Sequence, residues 1–358
     1  MIVVSSSNSR VETALTYEDL QARRTMHCNP PARNLRGWRA ASIWSICSIA
    51  LAITIGIPAH GSAQALAQSV SVTAENDYFD FWRPPDQRSD DNYTQGVRVS
   101  ADISAVPTLL RGLICRHRSQ SECATALEMG QDMYTPTIDA VHLIPGQRPY
   151  AGWLYLRAST VAATPSRRVT VDATVGVTGT ASLAEQAQIA FHQRFQFRRP
   201  LGWAEQIPTE PDFALSAEDE WYVTAPAVGH NWVDFTPETH VTLGTVRTAI
   251  GAGGRARAGF ALTHPWQVDT AARPFEAYCF VGANTEGVAH DLFLDGGTFT
   301  HSAHVTRERF IGEWERGVGI RLWRFGLEYR AVTEGREYRT GPATHSFGGI
   351  TLTWWIRR

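Results

Sequence analysis

Four stretches of the chain alternate apolar and polar residues with a strict period of two. Val169, Val171, Ala173, Val175 and Val177 fall on one face, and Thr170, Asp172, Thr174, Gly176 and Thr178 on the other. Ala256, Ala258, Phe260 and Leu262 stand against Arg255, Arg257 and Gly259. Phe325, Leu327, Tyr329 and Ala331 oppose Arg324, Gly326, Glu328 and Arg330, while Ile350, Leu352, Trp354 and Ile356 flank Thr351 and Thr353. Successive strand side chains point to opposite faces, so each stretch makes a strand with one oily and one wet face. Such segments start near residues 69, 94, 124, 150, 168, 220, 239, 254, 275, 310, 322 and 346, about twelve in all.

Alternation alone fits two architectures. A soluble β-sandwich turns its oily faces inward, whereas a transmembrane barrel turns them outward to lipid. The N-terminal region favours export. Arg33, Arg36 and Arg39 precede an uncharged run from Ala40 to Pro58, and small-residue sites follow at Gly61-Ser62-Ala63, Ala63-Gln64-Ala65 and Ala65-Leu66-Ala67. A basic segment, an apolar segment and an A-x-A-like site make a secretory signal peptide. An uncleaved anchor is the alternative, but the run is short for ~30 Å of hydrocarbon, and Pro58 and Gly61 close it abruptly. Residues 1–67 are therefore read as the export region, with Met26 as an alternative start, and residues 68–358 as one barrel domain. Tyr78, Tyr150, Trp153, Trp221, Tyr222, Trp232, Trp323, Trp354 and Trp355 fall at strand ends, where a barrel places its aromatic girdles. The expected fold is all-β: a transmembrane antiparallel barrel of about twelve strands with one short helical insert.

A formal net charge of −2 offers no electrostatic case for nucleic-acid binding. Export would leave three cysteines. Cys115 and Cys123 lie in a polar stretch where an oxidising compartment permits a bridge, and Cys279 sits in an apolar strand pattern as a small hydrophobe. The spacing offers no C-x-x-C metal site.

One segment breaks the alternation. Leu183, Ala187, Ala190, Phe191 and Phe195 recur at helical spacing after Ser182, a candidate N-cap, and Pro200 and Gly202 close the segment. This helix carries His192. There is no G-x-S-x-G elbow and no H-E-x-x-H zinc spacing, so a water nucleophile activated by a histidine is more natural than a serine. The bland alternative is a structural histidine. The first strand ends in Glu75, Asn76 and Asp77, clustered oxygen donors that suit Ca²⁺, with a solvated turn as the alternative. A loop between adjacent antiparallel strands would bring Asp77 and Thr94 to one rim.

Six motifs occur in order: AENDYF at 74–79, DNYTQG at 91–96, GQDMYTP at 130–136, QRPYAGWLY at 147–155, QAQIAFHQRF…PLGW at 186–203 and LFLDGGTF at 292–299. Together they resemble the outer-membrane lipid A 3-O-deacylase family over about residues 70–355. The resemblance implies a twelve-stranded barrel with its site on the outer-leaflet side. It also implies Ca²⁺-dependent hydrolysis of an ester-linked 3-position acyl chain of lipid A. His192 would activate water, while Asn76, Asp77 and Thr94 would organise the site and hold the cation. The implied partners are lipid A and the surrounding membrane lipid, with a monomer as the expected state.

Two departures from the family pattern stand out. The family has a Glu six residues after its histidine, where this chain has Arg198; Glu205 and Glu210 are candidate replacements. The family's basic pair after the YTP motif is replaced by Thr137, Ile138, Asp139 and Ala140. Arg148 is then the candidate phosphate ligand, its alternative role being an ion pair that holds the strand end. A non-catalytic barrel of the same fold is the competing functional reading.

Overall fold

Alternating strands leave their backbone groups to be paired by neighbours, and in a membrane a closed ring pairs them all. The computed structural model describes residues 67–84, 91–103, 122–136, 141–224, 232–266 and 274–356. The expected signal peptide, Cys115 and Thr137–Ala140 lie outside these. The strands are β1 (Ala67–Asn76), β2 (Asn92–Ile103), β3 (Glu122–Thr135), β4 (Ala151–Ala163), β5 (Arg167–Thr178), β6 (Pro211–Trp221) and β7 (Val223–Thr224). They continue as β8 (Val233–Gly244), β9 (Arg247–Phe260), β10 (Phe275–Asp291), β11 (Phe310–Leu322), β12 (Phe325–Gly335) and β13 (Thr344–Trp355). Sequence neighbours pair antiparallel, β1 meets β13, and β6 meets β8, closing a twelve-stranded barrel. The two-residue β7 is an extra strand on β8.

The oily faces point outward. Val175 and Ile250 are 61% and 66% exposed, and Leu156, Phe213, Leu215, Val281, Leu327 and Leu352 are exposed with them. The inward face is polar and charged. In its middle, Arg98 pairs with Glu75 (2.7 Å) and reaches Asp132 (3.4 Å). Glu75 also accepts from the Tyr93 hydroxyl (2.7 Å) and pairs with Arg330, which lies 3.6 Å from Glu315. Arg255 grips Glu315 with two donors (2.7 and 3.0 Å) and reaches Glu328 (3.2 Å). This belt crosses β1, β2, β3, β9, β11 and β12, and it places charge where lipid cannot reach it. A cavity of about 290 Å³ remains beside it, lined by Tyr93, Arg247, Glu286, Glu313 and Glu334 among others.

The structure refines several expectations. Of the aromatics expected at the interfaces, Trp232, Trp323 and Trp354 are exposed near one rim, with ring contacts Trp232–Phe260 and Phe325–Trp354. Tyr150 and Trp153 are instead buried: Trp153 packs inside the mouth with Tyr155 and Phe293, and Tyr150 packs on Trp203. The strand read near 220 begins at Pro211. Its inward residues Asp212, Glu218 and Glu220 disguise the period in the sequence, and proline is tolerated because it opens the strand.

The expected helix, α1 (Ala184–Phe195), has its N-cap at Leu183 rather than Ser182. Leu183 is left-handed (φ 60°), and the Ser182 hydroxyl donates to the Gly179 carbonyl (2.6 Å). The helix stops before Pro200 because Gln196 turns left-handed (φ 62°). One helical turn was not expected: α2 (Leu292–Asp295), capped by Asp291, whose Phe293 ring stacks on Tyr134 at 4.5 Å. Cys123 is disulfide-bonded, while Cys279 is a free thiol on the outward face.

Candidate functional site

Strand parity decides where α1 sits. Leu127 is exposed on the outside of β3, so Met133, six residues on, also points outward, yet it is fully buried. Trp203, Tyr150 and Ala184 cover it. Leu156 likewise marks the outward face of β4, to which Gly152 belongs. A Cβ at Gly152 would come within 2.3 Å of both the Ala184 Cβ and the Ser182 hydroxyl. Gln131, also outward, donates to the Ser182 carbonyl (2.6 Å). The helix therefore lies against the outer wall of the barrel at its rim, not in the lumen.

The face of α1 turned to that wall carries Ala184, Gln188 and His192, which are four residues apart and buried. His192 is 4% exposed, and its Nδ1 contacts the backbone carbonyl of Arg198. A carbonyl can only accept, so Nδ1 carries the proton and the lone pair lies on Nε2. The carbonyl of residue 198 thus orients the imidazole, a job open to any side chain at that position. Glu205 is engaged elsewhere, by His142 (2.8 Å) and the Leu143 amide (2.6 Å), and these contacts hold its carboxyl below the usual range. Glu210 accepts from the Phe299 amide (3.1 Å).

The same parity splits the Glu75–Asn76–Asp77 triplet. Glu75 faces the lumen and belongs to the charge belt, while Asn76 turns outward. The Asn76 side chain accepts from the Tyr78 amide (2.9 Å) and donates to the Thr94 carbonyl (2.9 Å), which joins the ends of β1 and β2. Thr94 is the extra residue of a β-bulge between Tyr93 and Gln95, and its hydroxyl meets that of Thr135 at 2.6 Å. Bulges at rims re-aim side chains in this way. Asp77 is buried at the start of a 3-10 turn, and Asp80, which caps the turn, is buried with its Oδ2 paired to Arg83 (3.3 Å) and its Oδ1 lacking a hydrogen-bond partner.

Aromatic rings connect the turn to the helix. Tyr78 lies 5.7 Å from Phe197, which lies 5.7 Å from the His192 ring and 6.0 Å from Phe191. Tyr78, Phe195 and Phe197 are exposed. Through these rings the turn that follows Asn76 and the helix that carries His192 meet along a cleft between wall and helix, with an apolar lip. Arg148 does not join them. It is 1% exposed, paired with Glu337 (2.9 Å) and lies over the Tyr134 ring (4.5 Å), which is the ion-pair alternative.

Gln188 was not singled out in the sequence. Its Oε1 accepts from the Trp203 indole (2.7 Å), and its buried Nε2 has no hydrogen-bond partner. The available signal was its place one helical turn before His192.

A family model described as outer membrane protein LpxR matches residues 46–356. The chain belongs to the LpxR family. It is therefore an outer-membrane protein, and this is the lipid A 3-O-deacylase family that its motifs resemble. LpxR from Salmonella typhimurium has the same fold, with a TM-score of 0.67 at 17% identity, covering 80% of this chain and 100% of that one. The β domain of the Bordetella autotransporter BrkA is a more distant likeness, with a TM-score of 0.42 at 11% identity, covering 81% and 99%. No curated protein sequence matches.

Proposed function

We propose that this LpxR-family barrel is a lipid A deacylase that hydrolyses an ester-linked 3-position acyl chain, using water activated by His192. The observation that carries this reading is the location of the cleft. His192 is held in one tautomer on the outer wall, where a lipid can approach sideways without leaving its leaflet. The exposed rings of Tyr78, Phe195 and Phe197 beside it suit an acyl chain.

His192 Nε2 takes a proton from water as the water oxygen adds to the ester carbonyl. The same proton then passes to the departing sugar oxygen, leaving a free fatty acid and a hydroxyl. The Arg198 carbonyl stabilises the imidazolium through Nδ1–H. The buried Gln188 amide, with a donor to spare, is suited to the oxyanion.

The residues of the 76–80 turn also fit a hard cation. All their donors are oxygens: the Asp77 and Asp80 carboxylates are buried, and the Asn76 and Thr94 oxygens each keep a lone pair beyond their present hydrogen bond. Ca²⁺ held by Asn76, Asp77 and Thr94 would polarise the ester carbonyl when bound.

Mass spectrometry of lipid A from cells with and without the gene tests the proposal. Loss of one acyl or acyloxyacyl unit is expected, and His192→Ala should abolish it, with general-base removal costing about 10²–10⁴-fold in rate. An unchanged lipid A profile with abundant folded protein would sink the reading in favour of a non-catalytic barrel.

A further inference from the structure

A second buried acidic group lies on the other side of the same wall. Phe213 and Leu215 face lipid, so Asp212 points into the barrel mouth, and Glu210 is buried two residues before it (4% and 2% exposed). Neither oxygen of Asp212 nor Oε1 of Glu210 makes a hydrogen bond within 3.5 Å, the Thr245 hydroxyl being the one side-chain donor near Asp212. Among the described residues no Arg or Lys forms an ion pair with either. The luminal trio Glu218, Glu220 and Glu238 differs, because Arg168 sits on Glu220.

Two further observations point to a ligand. A Cβ built on Gly297 would lie 2.5 Å from the Thr300 carbonyl oxygen and 2.6 Å from Glu210 Oε1. The glycine therefore lets the Thr300 carbonyl and Glu210 Oε1 approach its backbone from the same side. Independently, the Trp153 indole N–H is buried without an acceptor, and its nitrogen lies 2.5 Å from where a Cβ on Gly176 would be. Gly176 is the register partner of Asp212. Carboxylates withdrawn from water need a compensating positive charge or protonation, and this pair has no basic side chain to supply the first.

We infer that Glu210, Asp212 and the Thr300 carbonyl hold a divalent cation of the calcium type inside the barrel mouth. Two carboxylates and a backbone carbonyl, completed by water, are the donor set such an ion selects. A water on the ion or an Asp212 oxygen would then satisfy the Trp153 N–H. The cation fastens the loop after α2 to the chain entering β6. This site is separated by the wall from the outer cleft and does not rest on the catalytic reading.

The test uses the full chain extracted from outer membranes in detergent, stripped with EDTA and titrated calorimetrically with Ca²⁺. Asp212→Asn and Glu210→Gln should each lose one equivalent while keeping the heat-modifiable mobility of a folded barrel. Gly297→Ala should weaken that equivalent at least about tenfold by pressing a methyl against two of its oxygens. Asp77→Asn should retain it. Unchanged stoichiometry in folded Asp212→Asn and Glu210→Gln overturns the inference. If those two fail to fold, unchanged Ca²⁺ affinity in Gly297→Ala overturns it. Loss of an equivalent in Asp77→Asn alone also overturns it and leaves the catalytic reading standing. Loss in Asp212→Asn but not in Asp77→Asn supports this site and removes the cation from the outer cleft.

Discussion

The charge belt of the lumen and the outer cleft both bury polar groups, but they treat them differently. Around Glu75, charges neutralise one another through short contacts with Arg98, Arg330 and Tyr93. Toward the opposite rim, Arg257 is held by Asp234 (2.9 and 2.6 Å) and the Thr263 carbonyl (2.8 Å). In the cleft, Gln188 Nε2 is buried and unsatisfied, and Asp80 Oδ1 lies in the neighbouring turn in the same condition. A paired network stiffens a fold, whereas an unsatisfied buried donor or acceptor calls for another partner, whether water, an ion or a ligand. The cleft also adds what the lumen lacks, an apolar lip open to the leaflet.

This contrast predicts stability losses from the lumen and activity losses from the cleft. The largest stability effect is expected from Arg257→Ala, which takes from the buried Asp234 its two-donor guanidinium partner. Urea unfolding should show a loss of about 3–5 kcal/mol. A loss below about 1 kcal/mol would mean that the luminal pairs are spectators, as at exposed surfaces.

Gln188→Glu keeps the acceptor for Trp203 and removes the spare amide donor. Deacylation should fall about 10²–10³-fold, the cost of losing one oxyanion donor, in a variant that still shows the heat-modifiable mobility of a folded barrel. A variant that loses stability but not rate would assign Gln188 to packing. Arg198→Ala should alter deacylation by no more than about twofold, the scale of an exposed substitution, because the backbone carbonyl orients His192. A loss matching that of His192→Ala would show that the guanidinium itself takes part.

The smallest effect concerns pH. The folded state holds the Glu205 carboxyl below its ordinary value of 4.5, through His142 first and then the Leu143 amide. Its contribution is complete above that value and is lost as pH falls through the lowered one. Hydrogen exchange at the Leu143 amide should therefore be slow at neutral pH and lose protection in acid. Protection that persists unchanged in Glu205→Gln at neutral pH would remove the carboxylate as its cause.

Much of the barrel was legible because period two survives in any strand with one face on lipid. β5 and β12 read directly from Val169–Thr178 and Phe325–Arg330. β6 was misplaced by nine residues, since Asp212, Glu218 and Glu220 look like loop residues until a lumen exists to receive them. The helix could be read from the spacing of Leu183, Ala187, Phe191 and Phe195, but its cap could not. Ser182 is a good capping residue in isolation, yet a left-handed Leu183 takes the cap position.

The sequence by itself determined the strands, the helix and the family, because periodicity and motif order are local or linear properties. The alternation by itself could not turn the oily faces outward, since a sandwich and a barrel share it. The export region and the motifs favoured the barrel, and the tertiary structure shows the closed ring with its oily faces exposed. It also divided Glu75 from Asn76, adjacent residues on opposite faces of one wall, and put α1 outside that wall through Gly152 and Met133. The Arg198 departure changed meaning for the same reason. A side-chain substitution is visible in the sequence, but the backbone carbonyl that orients His192 is present at every residue and acquires its role only when the chain is folded.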